Sequence, residues 1–428
     1  MKITRRQFVA TTASGLLVPS VYAVPSEAQA DRELTGKTIC GYQGWFNAKG
    51  DGYDMAFRHY QTSHEFHPGA CTIDYWPDMR EFDADERFDT AFRHRDGRVA
   101  QVYSSAHPKT IARHFEWMQA YGIDGVAIQR FGSGLKHAKR RRHHHAVIKH
   151  ARSAARKTGR LWMTMYDLSG MKKGEPQKTV AEDWQDLVNN HKVTEDPTYM
   201  HHNGKPLVAI WGVGFNDNRE YTPDDCAKLI DQVSMGGQFS VMLGIPYRWR
   251  EQKRDAVPDK NLHDVLRKAD VLSPWAVGRK HNIDTALEHG EAFYEPDLAW
   301  CKSEGKHYLP VIFPGFSWHN LKKWKGQPGK LDQIPRHGGR FIWAQAEAAR
   351  KAGAESLYVA MFDEIDEGTA IFKCTNDPPI GESPFLDYEG LPSDHYLWLT
   401  GQIGKRLRQG KGPVIEGMPM RKSSNAKQ

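Results

Sequence analysis

Eight short, near-continuously apolar runs set the tightest limit on how this chain can fold. They are "TICGYQGWF" (38–46), "GIDGVAIQRF" (122–131), "RLWMTMYDL" (160–168), "KPLVAIWGVG" (205–214), "QFSVMLGIPY" (238–247), "DVLSPWAVG" (270–278), "KHYLPVIFPGFSW" (306–318) and "ESLYVAMFDE" (355–364). Rich in β-branched and aromatic residues, such runs read as strands buried on both faces, as in a parallel sheet. Amphipathic stretches lie between them, among them 145–159, 222–233 and 340–353, with a last one over 394–410. Thr222 with Asp225 opens one like a capping box, and Gly159 and Gly353 close two others. Eight strand–helix units predict a (β/α)8 barrel, class α/β, with an open doubly wound sheet as the alternative. No GxGxxG follows the first strand to favour that alternative. A ninth apolar fragment, "AQVYSS" (100–105), is assigned to a long excursion after the first strand, from about residue 47 to 108.

The first residues, "MKITRRQFVATTASGLLVPSVYAVPSEAQA", carry a twin arginine (Arg5, Arg6), a short apolar stretch and small residues near Ala23 and Ala30. That pattern is a twin-arginine export signal over 1–30, which predicts a periplasmic or secreted protein with one domain over 31–414 and a disordered tail over 415–428. The formal charge is +7, and Lys2, Arg5 and Arg6 against Glu27 leave +5 beyond the signal. So mild a balance tolerates an acidic polymer as ligand without demanding one. Five cysteines stand far apart with no CxxC spacing. They allow at most two bridges, Cys40 with Cys71 being one option and buried thiols the other.

In a barrel the catalytic groups sit where strands end and βα loops begin. The residues at those ends are Tyr42, Gln43 and Trp45; Gln129 and Arg130; Tyr166 and Asp167; Trp211; Tyr247; Trp275; and Trp318. With 13 Trp and 16 Tyr in the chain, the set describes an aromatic-walled cup suited to stacking on sugar rings. The eighth run ends in "MFDEIDEGTA" (361–370), with Asp363, Glu364, Asp366 and Glu367 inside five positions. Three readings compete: paired catalytic carboxylates, a divalent-metal cage, and a structural acidic turn. The metal reading lacks the alternating ligands and central Gly of a calcium loop. Catalysis requires Glu364 and Glu367 to converge, which strand alternation alone forbids and a turn at Gly368 permits. Crowded carboxylates then raise one pKa toward the range of a general acid.

"MFDEIDEGTAI" resembles the "NEWHEGTQI"-type motif of glycoside hydrolase family 99, the endo-α-mannosidase and mannanase group. "GYQGWF" is similar to that family's opening strand, and 103–131 resembles its segment ending in Gly-Ile-Asp. With "DYWPDMREF" and "MYDLSG", the chain is similar over nearly its whole length to exported bacterial proteins described as family 71/99-like, or loosely as xylosidase/arabinosidase. The resemblance implies a barrel glycosidase acting with retention on an oligo- or polysaccharide, without cofactor or metal. It implies Glu364 as the base on the sugar 2-hydroxyl, giving a 1,2-anhydro intermediate, and Glu367 as general acid/base. Asp363 stands where the family has Asn, and Ile365-Asp366 where it has Trp-His, so mannose specificity does not carry over. Asp363 and Asp366 then count among the substrate contacts. A non-catalytic sugar-binding barrel and a metal-dependent hydrolase are the alternatives.

Other stretches divide between function and packing. "DYWPDMREF" (74–82) is a lid over the sugar site or a packed loop, and Arg130 holds an acidic group or a structural ion pair. "KHAKRRRHHH" (136–145) reads as a solvated helix face: it lacks aromatic interleaving for nucleic acid, and consecutive His on a helix point about 100° apart.

Overall fold

The structure, a computed structural model, describes residues 32–410 and 417–421. The export signal and most of the expected tail lie outside the described residues. Of 417–421, Arg421 pairs with Asp394 through Nη1 and Nη2, at 2.5 and 2.8 Å.

All eight expected strands are present. They are β1 (Thr38–Tyr42), β2 (Gly125–Phe131), β3 (Leu161–Asp167), β4 (Lys205–Trp211), β5 (Ser240–Pro246), β6 (Val271–Trp275), β7 (His307–Tyr308 and Val311–Ile312) and β8 (Leu357–Val359). Every neighbouring pair is parallel. β7 is interrupted, and its two halves close the ring. His307, Tyr308 and the Leu309 amide pair with β6, whereas the Pro310 and Ile312 carbonyls receive the Tyr358 and Ala360 amides of β8. The open-sheet alternative is thereby excluded.

Eight helical segments follow the strands. α1 is Pro108–Tyr121, α2 Ala138–Thr158, α3 Ala181–Asn189, α4 Pro223–Ser234 and α5 Leu262–Arg267. α6 is Ile283–His289 and Glu295–Ser303, joined by a π-helical turn at Gly290–Tyr294; α7 is Arg340–Ala352 and α8 His395–Leu407. The sequence signals at their ends act as expected. Thr222 Oγ1 accepts the Asp225 amide at 3.2 Å while Asp225 Oδ2 accepts the Thr222 amide at 3.0 Å, and Gly159 and Gly353 end α2 and α7 in the left-handed region. α8 packs on α1 and α7, completing the outer layer.

The excursion between β1 and α1 holds an antiparallel hairpin, Phe88–Arg93 with Val99–Val102, so the ninth apolar fragment is a strand outside the barrel. Its aromatic residues Phe66, Trp76 and Phe92 pack together with Phe385. All five cysteines are buried free thiols, and Cys40 is not bridged to Cys71. Among the described residues no helix is long and apolar enough to cross a membrane.

Candidate active site

Register decides which strand-end residues face the barrel axis, because paired residues share a face and successive ones alternate. Tyr358 pairs with Ile39, Ile39 with Gly125, and Gly125 with Leu161; two layers up, Gln129 pairs with Met165. Asp167 pairs with Trp211, Trp211 with Gly244, and Pro246 with Trp275. A Cβ on Gly41 would lie 2.3 Å from the Tyr358 hydroxyl and one on Gly244 2.3 Å from the Trp211 ring, so all of these point inward. Gln43, Gln129, Asp167, Trp211 and Trp275 therefore line the mouth. Trp211 and Trp275 meet edge to face at 5.6 Å and stay partly exposed.

Alternation sends the neighbours of these residues the other way, and four of the expected substrate contacts are scaffold instead. The Tyr42 hydroxyl bonds His114 Nδ1 of α1 at 2.9 Å. Arg130 and Tyr166 converge outside the barrel on Asp183 of α3: Arg130 Nε donates at 2.9 Å, a second guanidinium nitrogen also contacts it, and the Tyr166 hydroxyl donates at 2.7 Å. Tyr247 stacks on His289 and Phe293 of α6, at 5.0 and 4.3 Å. In each dipeptide at a strand end only one residue faces the barrel axis.

The acidic segment after β8 is a closed loop. Its ends are tied by amides of Met361 and Ile371 to the Thr369 and Met361 carbonyls, and the Glu364 carbonyl accepts from both Thr369 and Ala370. Gly368 takes a positive φ of 65°, and a Cβ there would lie 2.7 Å from the Ser317 amide. Only glycine fits that combination of left-handed backbone and close approach. The turn thus removes the strand alternation that would have separated the two glutamates.

The four carboxylates divide by role. Asp363 is a fastening, a further correction to the expected substrate contacts: its two oxygens accept the Gln43 and Gly44 amides at 2.8 and 2.9 Å, locking the end of β8 to the end of β1. Burial nevertheless raises its pKa to about 6. Asp366 lies 3.5 Å from His59, which stacks on Trp45 at 3.9 Å. Burial raises Asp366 and lowers His59, so neither charge is favoured across that contact. Glu364 is 5 % exposed; Gln43 Nε2 donates to Oε1 at 2.6 Å and Thr369 Oγ1 lies 2.6 Å from Oε2. Burial first, then the charges of Glu367 and Asp366, pushes its pKa well up. Glu367 is partly exposed; burial raises it as well, against the opposing pull of Lys325 and Lys322. Trp318 stands beside this glutamate, one residue after Ser317, whose amide donates to the Glu367 carbonyl at 2.9 Å, and carries Lys322 over its ring at 4.0 Å.

Several positioning residues escaped the sequence reading. Arg336 Nη2 donates to the Gly368 and Ala370 carbonyls at 2.9 and 2.8 Å, with its guanidinium among Tyr75, Tyr388 and Tyr396. It grips the acidic turn by its backbone, using cation–π contacts in place of a counterion. Asp74 accepts from Ser317 Oγ (2.5 Å) and from the amides of His319 (2.6 Å) and Asn320 (2.9 Å), while its own amide donates to Ile365 at 3.0 Å. The 74–82 segment is therefore a packed loop that stitches the excursion to the acidic turn, and not a lid. Its remaining acids, Asp78 and Glu81, pair with Arg80 and Lys373 on the wall of a cavity of about 820 Å³ that no residue of 361–370 lines. A smaller cavity of about 80 Å³, bounded by Trp45, His59 and Phe131, adjoins Asp366.

Some of the buried polar groups without a partner lie at or near the mouth. Gln43 Oε1, Gln129 Oε1, Trp45 Nε1, Trp211 Nε1 and Asp366 Oδ1 are buried without a hydrogen-bond partner. Each such atom costs about 1–3 kcal/mol unless a ligand or water meets it. A ligand rich in hydroxyls would meet the five named here.

No protein-family model and no curated protein matches this sequence. Among solved structures, the chain is similar to the family 99 endo-α-mannosidase of Bacteroides thetaiotaomicron, in one structure bound to bis-tris-propane (19 % identity, TM-score 0.62) and in a second structure of that enzyme (18 %, 0.63). Each alignment covers 88 % of this chain and 98 % of the other. At that identity the likeness is one of fold: this chain and that endo-α-mannosidase share the barrel architecture.

Proposed function

We propose that the protein is an exported glycoside hydrolase that cleaves an oligo- or polysaccharide at the mouth of the barrel, using Glu364 and Glu367. The observation that carries this is the closed acidic turn, which supplies one buried and one partly exposed carboxyl group beside a wall of Trp211, Trp275 and orphaned polar atoms. Glycoside cleavage asks for two such groups. The likeness in fold to the endo-α-mannosidases supports it, and the twin-arginine pattern supports export.

In the retaining scheme the family resemblance implies, Glu364 takes the proton of the sugar 2-hydroxyl, whose oxygen attacks the anomeric carbon. Glu367 protonates the departing oxygen, then deprotonates the water that opens the 1,2-anhydro ring, and Glu364 returns its proton. One proton on the pair is the count this needs, and mutual repulsion of buried carboxylates favours that count. Burial alone puts it on Glu364. A bound 2-hydroxyl donating to Glu364 stabilises the ionised form there, and exclusion of water raises Glu367, which moves the proton where the reaction uses it.

The test is incubation with a panel of α- and β-linked oligosaccharides, with released sugars read by mass spectrometry and the first-formed anomer by NMR. Turnover of a substrate with a poor leaving group should fall at least ~100-fold in Glu367→Gln, the usual worth of a general acid. Turnover at the parental rate in that variant removes Glu367 from the chemistry. A second reading, sugar capture without cleavage, draws on the deep burial of Glu364 and the engagement of both its oxygens. Binding of a panel member with no release in the wild type would favour it.

A further inference from the structure

The basic and imidazole-rich start of α2 has no part in the site at the barrel mouth. Helical geometry spreads its three consecutive imidazoles around the axis. His143 turns inward to the Gly44 carbonyl, at 2.7 Å, and His144 is buried. His145 faces α3 and the turn that ends it. There His145, Asp186 and His191 each bring a ligand atom within 4.8 Å of the other two. The His191 Nε2 to Asp186 Oδ2 separation is 3.4 Å, and the His145 and His191 rings are 5.0 Å apart at 33°. Four-coordinate zinc with bonds of about 2.0–2.1 Å has a ligand–ligand edge of about 3.3 Å. One edge of such a polyhedron is therefore already at length, and side-chain rotation closes the others.

We propose that His145, Asp186 and His191 form a divalent transition-metal site of the zinc class, a clip fastening α2 to the end of α3. Two imidazoles with one carboxylate suit zinc, cobalt or nickel over the hard oxygen-seeking cations. The supporting shell is present. Asn190 Nδ2 donates to Asp186 Oδ1 at 2.7 Å, leaving Oδ2 toward His191. Arg152 donates to the His191 carbonyl at 2.8 Å, and the amides of Asn190 and His191 both donate to the Asp186 carbonyl. A cavity of about 420 Å³, lined by His145, Asp186, Glu182 and Asp183, leaves room for water to complete the coordination. Lys136 and Arg141 line it too, Lys136 being paired with Glu175.

The test uses the full chain, stripped with EDTA, desalted and titrated with zinc chloride and, separately, cobalt chloride. One zinc per chain should survive dialysis, the thermal midpoint should rise with zinc concentration, and cobalt should give visible d–d absorption. His191→Ala and Asp186→Asn should each weaken zinc binding by more than ~10-fold, since even outer-shell losses cost that much. His191 is exposed, so the metal-free midpoint of His191→Ala should match the parent and the comparison does not depend on rescued folding. His201→Ala, remote from the triad in sequence and bonded to the Tyr199 carbonyl, should bind zinc as the parent does. No zinc retained by the wild type, or equal retention by His191→Ala, overturns the site. Neither result bears on the glutamate chemistry, which sits on other elements.

Discussion

The division of each strand-end dipeptide into one pocket residue and one scaffold residue makes a sharp prediction at β3. Asp183→Ala removes the shared acceptor of Arg130 and Tyr166 and leaves a guanidinium with no exposure and no counterion. Breaking a buried pair from one side costs about 3–5 kcal/mol, and the stranded Tyr166 hydroxyl adds about 1 kcal/mol. Near 400 residues, an unfolding entropy of ~2.1 cal/mol/K per residue gives about 0.8 kcal/mol/K, so the thermal midpoint should fall by about 5–7 °C. Asp167→Asn changes the residue next to Tyr166 but on the opposite face. Its amide keeps an oxygen for the Ser169 N–H, which now donates at 2.7 Å, and the midpoint should move by no more than about 1 °C. Turnover of the cleaved glycan should fall by roughly 10- to 150-fold, the worth of a charged hydrogen bond to a substrate hydroxyl. Fluorescence-monitored melting and initial rates on the same preparations read both. The reasoning fails if Asp183→Ala melts with the parent, or if Tyr166→Phe loses turnover at an unchanged midpoint, because Tyr166 would then be serving the pocket.

Three further outcomes follow from named contacts. Thr369→Val removes a hydrogen bond that lowers the Glu364 pKa, so the ionised base should persist only at higher pH, and the acid limb of kcat/KM should move upward. An unmoved limb would separate Glu364 from that ionisation. Asp74→Ala strips the acceptor from three donors, a loss of roughly 3 kcal/mol or more at ~1–3 kcal/mol each, and should lower kcat along with the midpoint because Ser317 also holds the Glu367 carbonyl. Loss of stability with full kcat would cut that link. Lys280 is buried over the Tyr294 and Phe313 rings with its pKa driven well below 10.5 by burial. The unfolded chain takes up a proton there that the folded chain does not, so the lysine destabilises increasingly as pH falls below about 10. Lys280→Met should therefore raise the midpoint, with the gain larger at pH 7 than at pH 9.5, and a constant gain would refute the linkage.

What the sequence made legible is what local pattern dictates. The eight strands, the position of the excursion, the Thr222 capping box and the glycine stops all follow from apolar periodicity and turn chemistry, and all are present. The mouth was legible as a set of strand ends, but not residue by residue, because choosing between Gln129 and Arg130 or Tyr166 and Asp167 needs the register. Period 2 counted forward from Gly125 reaches Gln129 within β2, whereas β3 has no glycine and Asp167 is placed only by its pairing with Trp211. Arg336 and Asp74 carried no such signal. Their partners lie from 32 (Gly368 from Arg336) to 291 (Ile365 from Asp74) positions away in sequence, and nothing local distinguishes an arginine that grips a turn from one in water. His145 shows the opposite limit: the helical argument against three consecutive ligands is sound, yet one of the three meets partners from another helix.

The acidic turn itself is better understood as a device for setting protonation than as a surplus of catalytic groups. One of its four carboxylates is committed elsewhere, Asp363 to the amides of β1, and another, Asp366, sits against His59 with its Oδ1 unpartnered. Moving them away would leave a chemically similar glutamate pair in a less negative setting. With them in place, burial and the charges of Glu367 and Asp366 raise Glu364, while Lys322 and Lys325 draw Glu367 down. In the free protein the two glutamates are thus pushed apart in acidity with the proton on Glu364, and on the proposed scheme the bound 2-hydroxyl reverses that order before Glu367 acts as the acid. On this argument the Asp366 departure from the family pattern acts on the pH at which the pair holds one proton, and a chain with Asn at 366 should differ in pH profile before it differs in sugar preference.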